Sequence, residues 1–450
     1  MDREELREKI LTSRNMPGLL LWLAMPLVVS GSLDSIYSII DTFWLSLLGK
    51  EALATPNVSW PYTSILFAIG LAIAGAASGI AGQYIGDRNY REASRTMGVA
   101  LGLLLLFGVP ASTLFALSAN KYLVLANVPE EVRVLARIYI IIIAASIPLI
   151  YIFLVFNFAL GAAGDTRTPM KISIATTLIN AALDPILIFL AGWGVAGAAL
   201  ATAIARGSAS LYAIYSFKTG RHGVKVALAD LKPDIDRLKL IGKVALPVVF
   251  QRVGVTLGFT SMVPIISGLG TPVLAAYAIG QVVLHIDHVI AFPLIRATSI
   301  VVAQSLGADK IERAKKAAFS GIAMIVVAVG IYIVVLLAIR SFFVDIFTDD
   351  PMVAQIAKNM LLIFGPSVLG FNLLMLSDSI GRASGHTLFV SLAGLTRLWL
   401  LRIPLSWLLA YKLGYNDTGL WAGMAISNYV SGIVGLAWIL KGNWCKPVIK

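Results

Sequence analysis

Five aspartates lie inside long apolar segments: Asp34, Asp41, Asp184, Asp287 and Asp378. All eight glutamates lie at segment ends or in loops. An ionisable group inside a bilayer is expensive and by default marks a functional path. Asp34, Tyr37 and Asp41 are spaced i, i+3, i+7, so they share one face of a helix. Thr177, Asn180 and Asp184 repeat that spacing in another segment. Each stripe sets a carboxylate among neutral oxygen-bearing groups, which is what a proton or Na⁺ site needs. A carboxyl withdrawn from water can exchange its proton near neutral pH. Two carboxyls in one cavity titrate as a coupled pair, and a cationic solute could compete with protons for their charge.

Each aspartate also has a plain structural reading. Asp34 and Asp41 could pair with Arg206, Arg252 or Arg402. Asp184 precedes Pro185, a combination that often marks a turn. Asp287, between His285 and His288, could belong to a local hydrogen-bonded cluster, and Asp378 could pair with nearby Arg382. No phosphate-binding GxxxxGK[ST], no HExxH and no Cys/His ligand spacing occurs. The single cysteine, Cys445, excludes a disulfide framework. An ion gradient is the energy source that remains.

The elements that must hold these groups follow from composition. Of 450 residues, 58% are apolar and 13% charged, and the mean hydropathy is +0.84. A soluble domain carries about 25% charged residues. A membrane helix uses about 20 apolar residues, which leaves room for about a dozen helices and excludes a soluble enzyme or a nucleic-acid-binding protein. Apolar runs predict twelve spans, near 16–48, 55–85, 95–118, 133–162, 168–190, 195–217, 240–268, 273–305, 316–340, 353–380, 388–412 and 418–440. Pro26 and Pro247 are among the prolines inside runs, where each favours a kink. Twenty-four Lys and Arg fall on one side of this topology and five on the other. That bias predicts a multi-pass cell-membrane protein with both termini in the cytoplasm.

The halves repeat. Shifted by 221 positions, LAMPLVV around Pro26 lies on VALPVVF around Pro247, LGKEALA on LGTPVLA, and GQYIGDRNYREA on AQSLGADKIERA. Six spans per repeat make the repeats parallel, related by an axis along the membrane normal. The expected organisation is an interfacial N-terminal segment (1–15), an N-lobe (16–217), a cytoplasmic linker (218–239), a C-lobe (240–440) and a cytoplasmic tail (441–450). The N-terminus reads as an interfacial helix, since it has no signal-peptide cleavage pattern. The repeat sets Met262 opposite Asp41 and Gly258 opposite Tyr37, and span 11 has no carboxylate opposite Asp184. The charged site is therefore expected in the N-lobe.

Several stretches resemble the multidrug and toxic compound extrusion (MATE) transporters. They are Pro26 with the S-x-x-D-x-x-Y-x-x-x-D-T-x-W run at 32–44, LGKEALA, GQYIGDRN, LGAAGDTRTPM at 160–170, NAALDPILIF at 180–189 and GVAGAALATAIA at 194–205. The resemblance covers the whole chain and is most similar to the prokaryotic DinF-like branch. It implies an all-α integral membrane fold, with twelve transmembrane helices in two pseudo-symmetric six-helix lobes forming a V. It implies a secondary active antiporter that needs no cofactor. Such a protein exports amphipathic, often cationic, small molecules in exchange for H⁺ or Na⁺ by alternating access. The implied coupling set is Tyr37, Asp41, Asn180, Asp184 and Thr202, with Na⁺ held by Asp41, Asn180, Asp184 and Thr202. Tyr139 and Asn157 join Tyr37, Asp41, Asn180 and Asp184 in the implied substrate site, and span 1 bends near Pro26. Asp34 and Asp378 are secondary candidates. Another branch carries an acidic residue in span 7, where this chain has only Gln251 and Arg252, so a complete C-lobe Na⁺ site is not expected.

Three other readings compete. A flippase for lipid-linked saccharides of the same superfamily should line its cavity with Arg or Lys, but Arg206, Arg252 and Arg402 look scattered. A major facilitator transporter should carry GxxxDRxGRR, and GQYIGDRNYR has Gly86 at the Asp position. A membrane-embedded enzyme needs a larger cluster than LHIDH. The expected partners are small-molecule substrates and membrane lipid, not nucleic acid, with the chain acting as a monomer.

Overall fold

The computed structural model describes residues 3–449 and is built from helices. A chain this apolar has no water with which to satisfy its backbone, and a helix satisfies it internally. A short helix, Arg3–Thr12, precedes twelve helical regions. The first six are Met16–Ser46, Lys50–Gly86, Tyr90–Leu125, Glu130–Ala162, Arg167–Leu190 and Gly194–Thr219. The second six are Ile235–Ser267, Thr271–Leu284 continuing as Ile286–Gly307, Ile311–Asp345, Pro351–Ser384, Leu388–Lys412 and Asn416–Lys441. We number these spans 1 to 12. Among the described residues, eleven helices are long and apolar enough to cross a membrane. Gly194–Thr219 is not among the eleven; its small residues serve close packing instead. A Cβ on Gly197 would sit 2.6 Å from the Leu187 carbonyl group.

The chain divides into two compact units. One comprises residues up to Ile10 with Met25–Ala245, the other Leu11–Ala24 with Leu246–Lys450. The seams thus fall inside spans 1 and 7, not at the expected lobe edges near 217 and 240. The reason is electrostatic and local. Asp230 in the linker is buried and paired with Arg91 at 2.8 Å. Arg237, at the start of span 7, pairs with Glu92 and Asp234. These contacts keep the linker and the first turns of span 7 in the first unit. Conversely, Lys310 Nζ donates to the Leu11 carbonyl at 3.0 Å and Arg313 Nη1 to the Ser13 carbonyl at 2.9 Å, which keeps 11–24 in the second. Each seam lies just before a duplicated proline, Pro26 or Pro247.

The linker is a packed strap. Span 3 receives it through two glycines: a Cβ on Gly98 would lie 2.6 Å from Asp230 Cβ, and one on Gly102 2.0 Å from the Leu231 oxygen. Outside the membrane, burial pushes the Asp165 carboxyl up. Hydrogen bonds from His222 and Thr168 outweigh that and hold it below its ordinary range.

The sequence repeat is reproduced in atomic detail. Ser78 Oγ donates to the Phe158 carbonyl at 2.9 Å, and Ser299 Oγ to the Ser379 carbonyl at 3.0 Å. Tyr151 donates to the Leu66 carbonyl, and Asn372 to Asp287 at the matching positions. Left-handed Gly49 and Gly164 recur as Gly270 and Gly385, 221 residues on; Gly192 and Gly220 recur as Gly414 and Gly442, 222 residues on. The second half therefore gains one residue inside span 11. Spans 5 and 11 both end in a π-helical turn, Ile186–Leu190 and Leu408–Lys412, but span 11 has a further one at Arg397–Arg402. An i→i+5 turn accommodates one residue more than an α-turn, so this bulge houses the insertion.

Candidate functional site

Span 1 carries Tyr37 and Asp41 one turn apart, and span 6 brings Thr202 between them. Tyr37 donates to Thr202 Oγ1 at 2.8 Å, and Thr202 to Asp41 Oδ2 at 3.5 Å. Span 5 supplies Asn180 and Asp184, both fully buried, with Asn180 Nδ2 donating to Asp184 Oδ1 at 3.2 Å. Asp41 lies beside both Asp184 and Asn180. Three acceptor oxygens here, Asp41 Oδ1, Asn180 Oδ1 and Asp184 Oδ2, are buried and face no donor. Buried polar atoms are normally satisfied. Three unpaired oxygens in one place form a cradle for a proton or a hard cation such as Na⁺, which takes oxygen ligands. Thr177 is buried on the same stripe of span 5.

Asp184 is not at a turn. The helix runs on through Pro185 because the π turn Ile186–Leu190 absorbs the lost backbone bond. Arg206 stands near Asp34 and Asp41. Its guanidinium lies over the rings of Tyr37 (5.9 Å) and Phe67 (5.6 Å), and among the described residues it makes no ion pair with either aspartate. Asp34 is exposed, two turns before Asp41 on the same face. Tyr139 on span 4 is within electrostatic reach of both Asp41 and Asp184. Asn157 lies 18 residues on, five turns, so it shares Tyr139's face about 27 Å further along. It extends that wall away from the carboxyls and does not join their cluster.

The second half differs at each matching position. Met262 is buried where Asp41 stands, and Gly258 lies so close to span 11 that a Cβ would meet Leu398 Cδ2 at 2.2 Å. Asp378 pairs with Arg382 one turn away. Asp287 is buried and accepts from Asn372 Nδ2 at 2.6 Å. The flanking His285 and His288 rings lie 5.0 Å apart. Sequence reasoning missed Arg397, which the structure joins to Arg402. A mid-span R-x4-R with no acid nearby was the available signal.

A duplicated twelve-helix membrane fold with a buried carboxyl cluster in one repeat defines a secondary transporter. The MatE family model matches residues 26–186 and 247–408, once per repeat, and the chain belongs to that family. Its members are transporters, which sets aside the facilitator and enzyme readings. The chain is 25% identical to the probable multidrug resistance protein YoeA of Bacillus subtilis, over 90% of each chain. It is 26% identical to a FAD transporter of Shewanella oneidensis, over 92% of this chain and 91% of the other. A solved multidrug resistance transporter of the MATE family, in an outward-facing conformation, superposes with a TM-score of 0.90 at 21% identity. That match covers 98% of this chain and 99% of the other, and supports the fold.

Proposed function

We propose that this chain exports bulky amphipathic, often cationic, compounds across the cell membrane in exchange for H⁺ or Na⁺. The observation that carries the proposal is the trio of unpaired oxygens on Asp41, Asn180 and Asp184, braced by Thr202 and Tyr37. A proton or Na⁺ entering that cradle satisfies them, and a cationic substrate competes for the same charge. Tyr139 and Asn157 line one wall of the path that such a substrate takes. Pro26 lies next to the point where span 1 passes from one unit to the other. Bending there as the cation binds links the site to alternating access. The chain acts as a monomer with both termini in the cytoplasm, and no cofactor is required. The acidic cradle favours this reading over a flippase for lipid-linked saccharides.

The test uses proteoliposomes, a fluorescent cationic dye, and pH and Na⁺ gradients imposed separately. Dye export driven by either gradient and lost in Asp41→Asn is the expected result. Export that ignores both gradients, or survives in the variant, sinks the proposal.

A further inference from the structure

The duplicated fold puts a different chemistry at the second copy of the site. Beyond the π turn in span 11, Arg402 stands where Asn180 stands in the first half, Ser406 where Asp184 stands, and Asn428 where Arg206 stands, each 222 residues on. An i→i+5 turn stacks residue i+5 over residue i. The bulge that houses the extra residue therefore brings Arg397 and Arg402 onto one face.

Both guanidiniums converge on a single neutral atom. Arg397 Nη1 donates to Asn428 Oδ1 at 3.0 Å and Arg402 Nη2 to the same oxygen at 2.6 Å. Arg402 Nε donates to Ser427 Oγ at 3.1 Å, and Asn428 is oriented by its own bond to Ser367 Oγ at 3.0 Å. Each arginine is only 3% exposed. Phe371 lies 5.1 Å from Arg397, and Phe364 and Phe259 lie 5.4 and 5.7 Å from Arg402. Among the described residues neither arginine makes an ion pair. Asp287 is engaged by Asn372 and Asp378 by Arg382. Two donors in this unit remain without an acceptor, Arg397 Nε and Trp421 Nε1.

Arginine keeps its proton under ordinary conditions. Two buried like charges that share one neutral acceptor repel, and a buried charge without a counter-charge is strongly unfavourable. In the first half the unpaired atoms of the site are acceptor oxygens, whereas here they are N–H donors. We propose that Arg397 and Arg402, with Ser427 and Asn428, form an anion site in the second half. It takes a single anionic group, either the carboxylate or phosphate of an amphipathic transport substrate or a free inorganic anion. The substrate arm rests on the transport reading, while binding itself is measurable without transport.

The test begins with the purified full-length protein in gluconate buffer, with thermal unfolding followed by circular dichroism. Chloride, inorganic phosphate, fluorescein and the cationic xanthene rhodamine 6G are added in turn. A ligand of the native state raises the midpoint. The expected result is a rise with an anionic probe that is lost in Arg402→Gln and kept in Arg402→Lys and Asp184→Asn. A rise with fluorescein alone identifies a substrate's own anionic group; a rise with chloride or phosphate identifies a free anion. No rise with any anion, or an equal rise in Arg402→Gln, overturns the proposal. If Arg402→Gln does not fold, Arg397→Gln gives the same comparison. In proteoliposomes, Arg402→Gln should lower the ratio of fluorescein to rhodamine 6G efflux about tenfold. Anion binding in a protein that exports neither dye would sink the transport reading and leave the anion site standing.

Discussion

Replacing Asp184 by asparagine should separate transport from stability. Asp184 is fully buried. Its Oδ1 accepts one bond from Asn180 at 3.2 Å, and its Oδ2 faces no donor. Leaving a buried acceptor unsatisfied costs about 1–3 kcal/mol. An amide of the same shape keeps an acceptor for Asn180 and brings an N–H₂ group to a place where Asp41 Oδ1 and Asn180 Oδ1 are also unpaired. Satisfying one of those oxygens recovers about 1–3 kcal/mol, so the unfolding midpoint of Asp184→Asn in detergent should hold or rise. The same change removes a group that exchanges the coupling proton or holds the coupling ion. Gradient-driven dye efflux should then fall about tenfold or more, the scale of 1.4 kcal/mol of lost coupling. The assay pairs thermal unfolding with efflux from proteoliposomes at matched protein density. Wild-type efflux would refute the coupling role. Lost efflux with a midpoint lowered by several degrees would make Asp184 a structural residue instead.

Gly102→Ala should unseat the linker strap, because its Cβ would lie 2.0 Å from the Leu231 oxygen. A loss of about 1–3 kcal/mol is expected, read as a lowered unfolding midpoint; an unchanged midpoint would mean the strap yields freely. Asp165, held below its ordinary range, contributes stability that is fully present at neutral pH and is lost as pH falls below about 4. Asp165→Asn should therefore lower the midpoint at pH 7 and narrow its gap to wild type in acid, and a constant gap would count against it. Pro26→Ala restores a backbone donor beside the seam in span 1 and should slow export while leaving the protein folded. Pro247→Ala tests the matching seam in span 7, and normal export in both variants would remove the prolines from the transport cycle.

Much of the architecture is legible in the residues themselves. The lengths of the apolar runs fix the span count, because a bilayer demands about 20 apolar residues per crossing. The constant shift of 221 exposes the duplication without coordinates. Helical periodicity alone sets Tyr37 and Asp41 on one face, and Asn180 and Asp184 on another.

Side chains from separate spans meet only through packing, and no periodicity in one segment reports that. Thr202 reaches Tyr37 and Asp41 from 161 or more residues away. The unit seams beside Pro26 and Pro247 depend on pairings such as Arg237 with Glu92, which charge counting cannot foresee. The joining of Arg397 to Arg402 required a π turn. On an α-helix residues five apart diverge, and only the inserted residue, accommodated as an i→i+5 turn, brings them together over Asn428.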